Sequence, residues 1–500
     1  MNKLPFYLTD SYKLGHAAQY PPGTQFVYSN FTARSNKLLN LPDWAKDGKY
    51  VVMGMQRLMY LINYDWVEPL QELEPEEFED ELKEFLSDMA AFAGPNGLDG
   101  SRFRQLYEYV EVYGKLPLEF KHVADGTVID IRAPCLTVVN TDPRFYWLVN
   151  YMETYLSTEM WKCMTVATIA RFYKRTLSRF ATATGTPLEF VPWQAHDFSM
   201  RGMGGVEDGI AGGIGHLSYF TGSDNLASFR NIRGIYGFEK DGITAGSVPA
   251  TEHSVMCMAG KDSEVDTFAR LIKEYPSGIL SIVSDTWDYF NVLTKTAVTL
   301  REAILARTPD AFGLAKIVFR PDSGNPIDII CGDDEAEPGS PEHLGSLQLL
   351  WNAFGGTVTS TGHRQLNERV GLIYGDSITP QRMHDILERM EAEGWASGNI
   401  VFGVGSYTYQ YMTRDSLGFA MKATWGVLNG EEVFLAKDPK TDSGTKKSAT
   451  GMLAVVDGKL VEGLTKAQEA DIVGNQLKKA GTANRTLQEI RASLDNELVS

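Results

Sequence analysis

From about residue 187 the chain alternates short apolar stretches with amphipathic helical patterns, and this rhythm constrains the fold more than any other feature. Such an alternation is typical of βαβ units, in which helices connect parallel strands. Helical patterns cover 263–274, 286–305 and 379–394. The sequence therefore predicts an α/β fold with a TIM-like barrel. The predicted strands are Leu188–Val191, Ile243–Val248, Ile279–Val283, Ile317–Phe319, Leu372–Tyr374 and Ile400–Phe402.

The two ends of the chain carry different patterns. Residues 117–140 predict antiparallel strands that turn at Asp125 and Gly126, and the tail after 425 predicts a β-rich cap followed by a helix. We therefore expect an additional mixed α+β part built from both ends of the chain. The predicted segments are an N-terminal mixed part at 1–150, a catalytic barrel at 151–425 and a C-terminal cap at 426–500 that packs on the N-terminal part.

Charge and cysteine content exclude several classes of protein. The net charge of −17 and the pI near 5.0 argue against nucleic acid or an anionic membrane as the main partner. The first ten residues contain no apolar signal-peptide core, and no apolar run is long enough to span a bilayer. The four cysteines are scattered without a CxxC motif, which fits a reduced protein. These features predict a soluble, cytoplasmic protein.

Polar side chains follow the predicted barrel strands. Ligands of barrel folds bind at the carboxyl ends of the strands. Six of the seven ends carry an acid, an arginine or a histidine, and the last is rich in glycine. This convergence predicts a binding site at one end of the barrel. The seven ends are His196–Gly202, Thr221–Asp224, Ala250–Ser254, Ser284–Asp285, Arg320–Gly324, Gly375–Ser377 and Gly403–Ser406.

The most informative strand end follows the apolar run before Arg320 and reads Arg-Pro-Asp-Ser-Gly-Asn-Pro. A guanidinium is a planar fork for phosphate oxygens, and the Asp322 carboxylate can hold a sugar hydroxyl or a metal-bound water. Arg201 offers a second guanidinium. The alternative for both arginines is an ordinary ion pair with a barrel acid.

His253 follows a predicted strand beside Glu252, with Asp285 as a candidate orienting acid. This setting indicates either a catalytic imidazole or an ordinary polar histidine. The chain has no Walker lysine loop and no HExxH or GxSxG motif, so the common NTPase, zinc protease and serine hydrolase classes are excluded. A lysine-rich stretch at 437–447 is either a phosphate clamp or a solubilising loop.

The chain resembles the nicotinamide phosphoribosyltransferases, a family of type II phosphoribosyltransferases. The resemblance covers nearly the whole chain, from Thr9–Lys13 and Gln19–Pro22 to beyond Lys437–Pro439. Its motifs occur in family order and are HDFxxRG at 196, EHS at 252, VSD at 283, RPDSGNP at 320, GD at 375 and TRD at 413. The resemblance implies an irregular α/β barrel with an added mixed domain, assembled as a homodimer with active sites at the interface.

The resemblance also implies the residues that hold the pyridine base. Phe198 would stack on one face of the ring, and Tyr12 from a second subunit would stack on the other. Asp10, in the same segment as Tyr12, is assigned to substrate binding. Asp224 would accept a hydrogen bond from the carboxamide and so select the amide over the acid.

For phosphoribosyl pyrophosphate, the resemblance implies contacts from several strand ends. Arg201 and Arg320 would contact base and phosphates, and Asp322 would hold ribose or a Mg²⁺-bound pyrophosphate. The ribose would be held by Gly375 and Asp376. Three positions would bind the 5′-phosphate, namely Gly405, Ser406 and Arg414, and three would reach across the dimer interface, namely Arg34, Arg414 and Lys422.

The implied reaction joins nicotinamide to phosphoribosyl pyrophosphate and forms nicotinamide mononucleotide and pyrophosphate for NAD salvage. ATP hydrolysis would be coupled through phosphorylation of His253, with Asp285 beside it. Mg²⁺ would be the metal cofactor, held at Asp322. Ser406 stands where the vertebrate form has a glycine run. Two alternatives stay open: a nicotinate phosphoribosyltransferase, and a nucleotide sensor without catalysis on the same scaffold.

Overall fold

The computed structural model describes residues 3–92, 98–237, 242–436 and 449–499. The lysine-rich stretch 437–447 therefore lies outside the described residues. The strands are β1 Thr24–Thr32, β2 Lys49–Val52, β3 Leu118–His122, β4 Thr127–Asp130, β5 Pro134–Asn140, β6 Ala195–Asp197, β7 Gly278–Val283, β8 Ala315–Arg320, β9 Gly356–Val358, β10 Arg364–Leu366, β11 Val370–Tyr374, β12 Ile400–Val404, β13 Ala420–Leu428, β14 Glu431–Phe434, β15 Met452–Val456, β16 Lys459–Leu464 and β17 Lys478–Lys479.

Helices of at least eight residues cover the strands and link the parts of the molecule. Within the described ranges, no helix is long and apolar enough to cross a membrane. The longer helices are α1 Met55–Ile62, α2 Pro75–Asp88, α3 Ser101–Tyr113, α4 Glu153–Thr184, α5 Val206–Leu217, α6 Leu226–Ile235, α7 Glu264–Glu274, α8 Pro341–Phe354, α9 Pro380–Ala392 and α10 Leu487–Val499.

Five parallel strands form the sheet that carries the candidate site, in the order β6-β12-β11-β8-β7. Isolated parallel bridges supply the rest of the wall. Asp197 pairs with Ser223, Gly222 pairs with Gly246, and Ala250 pairs with Ser281 in β7. The ring therefore closes from β6 back to β7 through two extended segments. The predicted α/β barrel is confirmed, and its irregularity lies in these two segments.

One of the predicted strands is wrong, and a second is formed only in part. Leu188–Phe190 is a 3₁₀ turn that leads into the short helix Val191–Gln194, and β6 begins only at Ala195. A four-residue apolar run does not distinguish helix from strand, and a proline in the first turn favours the helix. The segment 243–248 is extended and belongs to the wall, but it pairs only through the bridge at Gly246. The other four predicted strands lie within β7, β8, β11 and β12.

A second, antiparallel sheet has the order β14-β13-β1-β5-β3-β17. Strands β1, β3 and β5 come from the N-terminal part, whereas β13, β14 and β17 come from the last 81 residues of the chain, 420–500. The mixed α+β part built from both chain ends is therefore confirmed. The division of the chain at residues 150 and 425 stays a prediction.

The predicted hairpin around Asp125 and Gly126 is wrong in its pairing. The chain does turn there, but β3 pairs with β5, and β4 pairs with β2. Asp125, at this turn, is fully buried and caps a helix that is distant in sequence. Its carboxylate accepts hydrogen bonds from the backbone N–H groups of Met55 (2.9 Å) and Gln56 (3.0 Å) at the start of α1.

Helix α4 lies between the two-stranded sheet of β2 and β4 and the barrel. Thr168 in α4 accepts a hydrogen bond from Val51 N in β2 (3.1 Å), and the Tyr173 hydroxyl donates to Ile378 O beside the barrel (3.0 Å). Because both sides of the helix are covered, its apolar residues are spread around it instead of forming one stripe. Four aromatic residues of this helix are buried in the core, namely Tyr155, Phe172, Tyr173 and Phe180.

The C-terminal helix α10 fastens the irregular wall of the barrel. The guanidinium of Arg491 donates to four backbone carbonyls, those of Leu217, Phe220, Ile243 and Thr244. Burial lowers the pKa of Arg491 to about 10. Arg491 thus gives hydrogen bonds to carbonyls that have no partner in a regular strand. Its bonds to residues 243 and 244 fix the backbone that leads to Ser247.

Replacing Asp125 with alanine is expected to lower the free energy of unfolding by about 3 kcal/mol, because it leaves buried N–H groups at the start of α1 without an acceptor. Gly54, which precedes the helix, offers no side chain as a substitute cap. Asp125→Asn keeps one acceptor oxygen, and we expect about half of that loss. Urea denaturation measures both values. Loss of less than about 0.5 kcal/mol in Asp125→Ala would contradict this role.

Candidate active site

An aromatic ring lies across the carboxyl ends of three barrel strands. Phe198 follows β6, and its backbone N–H donates to Val404 O at the end of β12 (3.0 Å). A methyl group added to Gly403 would lie 2.4 Å from Cδ2 of the ring, and one added to Gly375 would lie 3.3 Å away. Glycine at 403 therefore permits the close approach of ring and backbone. The ring offers a flat apolar face at the barrel mouth.

Asp224 presents a carboxylate close to this ring. His196, whose ring centroid is 5.0 Å from that of Phe198, places Nε2 3.2 Å from Asp224 Oδ1. The Ser247 hydroxyl donates to the same oxygen. Burial alone raises the pKa of Asp224, but the hydrogen bonds from His196 and Ser247 and the charge of Arg320 outweigh it, so the pKa lies below the usual value. Asp224 is therefore ionised at neutral pH.

Arg320 and two acids meet at the end of β8. Arg320 donates from Nη2 to Thr251 O (2.6 Å), and its Nε lies 3.3 Å from Asp322 Oδ2. Asp285 Oδ2 accepts from Asp322 N (2.9 Å) and from the Ser323 hydroxyl (2.6 Å). Burial raises the pKa of Asp322, and the nearby Asp285 adds to this effect against the attraction of Arg320. The loop thus has a fixed backbone, whereas the Asp322 carboxylate is one third exposed.

His253 stands beside this acidic pair with its imidazole half exposed. Its Nε2 lies 3.9 Å from Asp285 Oδ1, and its Nδ1 lies 3.4 Å from the Thr286 hydroxyl. Asp285 Oδ1 is buried and has no hydrogen-bond partner among the described residues. A buried carboxylate oxygen aimed at an accessible imidazole is suited to orient and charge-stabilise that imidazole.

Two further loops that carry predicted site residues contact each other. Arg201 lies exposed in the 3₁₀ turn Met200–Gly202. A methyl group added to Gly202 would lie 2.1 Å from the Ser406 hydroxyl oxygen, so this turn contacts the loop of Gly405 and Ser406 directly. Asp376 lies exposed at the end of β11 and accepts a hydrogen bond from Ser377 (3.2 Å).

Five of the predicted substrate residues lie away from this group. Asp10 accepts from the Thr154 hydroxyl at the start of α4 (2.7 Å), and the nearby Tyr12 ring is 60% exposed. Arg34 donates to Gly418 O (2.8 Å), next to the turn that carries Arg414, while Lys422 pairs with Asn30 in the β1–β13 ladder. The predicted residues are therefore divided between the barrel mouth and the part of the molecule that carries the six-stranded sheet.

Two residues of the site carry no role in the sequence analysis. Ser247, on the Asp224 carboxylate, sits in a stretch whose apolar pattern predicts only a strand. Thr286, beside His253, directly follows the Val-Ser-Asp motif, so its position next to a strand end was the one available signal.

Two solved structures share this architecture. The nicotinate-nucleotide pyrophosphorylase from Pyrococcus furiosus matches with a TM-score of 0.53 at 13% identity, covering 98% of this chain and 94% of that one. Human nicotinic acid phosphoribosyltransferase matches with a TM-score of 0.53 at 14% identity, covering 98% and 93%. These likenesses concern the fold, which is that of the type II phosphoribosyltransferases.

Sequence relatives narrow the class further. A model of the nicotinate phosphoribosyltransferase (NAPRTase) family matches residues 193–490, and a model of the nicotinamide phosphoribosyltransferase N-terminal domain matches residues 5–82. A nicotinamide phosphoribosyltransferase of Acinetobacter baylyi is 48% identical over 505 residues, covering 99% of this chain and 98% of the relative. One of Mycoplasma pneumoniae is 33% identical, covering 88% and 93%. The chain belongs to the nicotinamide phosphoribosyltransferase family and is a pentosyltransferase.

Proposed function

We propose that this enzyme transfers the phosphoribosyl group of phosphoribosyl pyrophosphate to nicotinamide and forms nicotinamide mononucleotide and pyrophosphate in NAD salvage. The pyridine nitrogen donates its lone pair to ribose C1, and the bond from C1 to the pyrophosphate oxygen breaks. The observation that supports nicotinamide as the base is the ionised Asp224 beside the Phe198 ring. The relatives named for nicotinamide support the same choice.

Asp224 discriminates between amide and acid by charge. Both side-chain hydrogen bonds to its carboxylate fall on Oδ1, which leaves Oδ2 to accept from a carboxamide N–H. A nicotinate carboxylate at the same place would meet the negative charge of this half-exposed carboxylate, and the like charges would repel each other. Phe198 supplies the flat surface that orients the base toward C1.

The leaving pyrophosphate sets the second requirement. The transition state separates an oxocarbenium-like ribose from an anionic leaving group, so charge stabilisation matters more than a nucleophilic side chain. Arg201 and Arg320 both lie close enough to Asp322 to lower its pKa by their charge, and both offer guanidinium groups for phosphate oxygens. Their role here is electrostatic, since neither guanidinium exchanges protons in the reaction.

A Mg²⁺ ion fits the acidic side of the mouth. Asp322 has a pKa raised by burial and by Asp285, and Asp285 Oδ1 has no hydrogen-bond partner in the described part of the chain. Oxygen ligands of this kind suit Mg²⁺ held partly through substrate phosphates and water. Asp322 would hold the ion, with Asp285 behind it, and the ion when bound would neutralise pyrophosphate charge.

ATP coupling is assigned to His253. The γ-phosphoryl group passes from ATP to the imidazole with release of ADP, and water later cleaves the phosphohistidine to phosphate. Asp285 at 3.9 Å from Nε2 supports this role, because a carboxylate stabilises the imidazolium that forms during the transfer. The phosphorylated imidazole would then place negative charge beside the pyrophosphate site.

A homodimer would complete the site. In this arrangement a second subunit brings its copies of five residues to the barrel mouth, namely Asp10, Tyr12, Arg34, Arg414 and Lys422. The exposed ring of Tyr12 supports this arrangement. We also propose a cytoplasmic location, which the four unpaired cysteines support.

Replacing His253 with alanine is expected to abolish ATP hydrolysis while leaving weak phosphoribosyl transfer, because the base and pyrophosphate contacts stay in place. ADP release and mononucleotide formation are measured side by side at equal protein concentration. Thr286→Val serves as the matched control, since it removes only the hydroxyl 3.4 Å from Nδ1. ATP hydrolysis that continues at the wild-type rate in His253→Ala would contradict the phosphohistidine.

Nicotinate transfer is the second candidate, because the family model that matches the barrel residues is that of the nicotinate enzymes. The purified protein is incubated with phosphoribosyl pyrophosphate, Mg²⁺ and either base, with and without ATP. Nicotinamide mononucleotide as the main product supports the proposal. Nicotinate mononucleotide favours the second candidate, and tight binding of phosphoribosyl pyrophosphate without turnover favours a sensor.

A further inference from the structure

Lys162 is a buried cation in the middle of α4, and its side chain is 2% exposed. The ammonium has three partners, which match its three N–H donors. They are Tyr409 O at 3.0 Å, Gln410 Oε1 at 2.8 Å and Asp208 Oδ1 at 3.2 Å. Desolvation of this kind is tolerated only when every donor is satisfied.

Two of the three partners belong to the loop that carries Ser406, and the third, Asp208, lies in the first turn of α5, just after the loop that carries Arg201. Tyr409 closes the one-turn helix Ser406–Tyr409, and Gln410 N donates back to Ser406 O (2.7 Å). Lys162 therefore holds the C-terminal end of the segment that presents Ser406.

Asp208 connects the same ammonium to the other loop. Its second carboxylate oxygen accepts from Gly204 N at 2.9 Å, two residues after the Met200–Gly202 turn that carries Arg201. The two loops also meet at Gly202 and Ser406, where an added methyl group would lie 2.1 Å from the hydroxyl oxygen. Lys162 thus lies behind the contact between the Arg201 loop and the Ser406 loop.

We propose that Lys162 is a positioning residue that sets the spacing between Arg201 and Ser406 and thereby the affinity for the phosphate groups of phosphoribosyl pyrophosphate. This inference rests on the proposed function, which makes these two loops the phosphate contacts. Lys162 itself touches no substrate, because its three donors are used within the protein.

The chemistry of an ammonium explains why a neutral side chain cannot replace it. Methionine has similar length but no donor, so Tyr409 O and Gln410 Oε1 lose a charged partner and the Asp208 carboxylate loses its counter-ion. The two loops then lose their common anchor behind Gly202 and Ser406. The base site at Phe198 and Asp224 is built on other contacts and is unaffected.

The test compares Lys162→Met with a matched control on the same helix. Lys174 is also buried in α4, and its ammonium lies 3.3 Å from Asp495 and 3.4 Å from Tyr219 O, away from both loops. In Lys162→Met we expect the KM for phosphoribosyl pyrophosphate to rise at least tenfold and the KM for nicotinamide to stay within twofold. In Lys174→Met we expect a lower melting temperature and both KM values within twofold.

If Lys162→Met lowers only kcat, or leaves the KM for phosphoribosyl pyrophosphate unchanged, the inference is overturned. A residue with a purely structural role lowers only the fraction of correctly folded, active enzyme, and this changes kcat but not KM. If Lys162→Met does not fold, Gln410→Ala removes one of the three acceptors without burying a bare charge, and a rise of about threefold in the same KM is expected. No such rise would also overturn it.

Binding of phosphoribosyl pyrophosphate, followed by calorimetry, separates this inference from the proposed function. A wild-type protein that turns over nicotinamide while Lys162→Met binds phosphoribosyl pyrophosphate equally well refutes the inference alone. A wild-type protein without turnover refutes the proposed function. If the wild-type protein binds phosphoribosyl pyrophosphate without turnover, weaker binding in Lys162→Met still supports the spacing role. If the wild-type protein does not bind phosphoribosyl pyrophosphate, the inference and the proposed function are both refuted.

Discussion

Replacing Arg320 with alanine is expected to lower kcat/KM for phosphoribosyl transfer by about a thousandfold. The guanidinium lies between Thr251 O and Asp322 at the barrel mouth, where negative charge grows on the leaving pyrophosphate. Loss of a single aligned donor to a developing charge typically lowers kcat by about 100-fold to 1000-fold, and Arg320 contributes a full charge as well. Steady-state kinetics at saturating nicotinamide measure the effect.

Arg369→Ala is the matched control for this prediction. Arg369 directly precedes β11, at the opposite end of the barrel, and donates to Arg307 O (2.7 Å). We expect its kcat/KM to stay within twofold of the wild type. A loss of less than tenfold in Arg320→Ala, with the protein folded, would remove Arg320 from the pyrophosphate site.

Asp224→Asn is expected to lower the preference for nicotinamide over nicotinate by about a hundredfold. The asparagine oxygen still accepts a hydrogen bond, but the negative charge that repels nicotinate is gone. The wild-type carboxylate is ionised at neutral pH, since hydrogen bonds from His196 and Ser247 hold its pKa below the usual value against the effect of burial. The ratio of kcat/KM for the two bases measures the change.

Asp376→Asn removes another carboxylate from the barrel mouth and therefore controls for the effect of the net charge of the mouth. Its assigned contact is with ribose, so we expect a higher KM for phosphoribosyl pyrophosphate and an unchanged preference between the two bases. A preference that falls equally in both variants would show that the net charge of the mouth selects the base, and not Asp224.

The sequence predicts the barrel strands correctly where they pair in a regular parallel sheet. It does not predict them correctly where the hydrogen-bonded pairing of the sheet is interrupted. The stretches that became β7, β8, β11 and β12 are apolar because their side chains pack on both faces of a parallel sheet, and this composition is visible in the sequence. The segment 243–248 also predicts a strand, but it contains Thr, Gly and Ser. Arg491 of α10 satisfies its carbonyls at 243 and 244, and the sequence gives no sign of a partner so far away.

The candidate site was predictable for a similar reason. The carboxyl ends of parallel strands converge, so Arg320, Asp322, Asp285 and His253 were expected to meet, and the structure brings them together. Ser247 and Lys162 were missed because their partners are 23 and at least 46 residues away and no local pattern marks them. Tyr12 was assigned only by resemblance, and its own chain leaves it outside the barrel mouth.

The central claim is the choice of nicotinamide, and a competition experiment tests it most directly. Equal concentrations of nicotinamide and nicotinate are supplied to the wild-type enzyme with limiting phosphoribosyl pyrophosphate, Mg²⁺ and ATP, and the two mononucleotides are quantified. The account predicts nicotinamide mononucleotide in excess of about a hundredfold, which corresponds to the charge clash at Asp224. Equal amounts of the two products, or an excess of nicotinate mononucleotide, would contradict it.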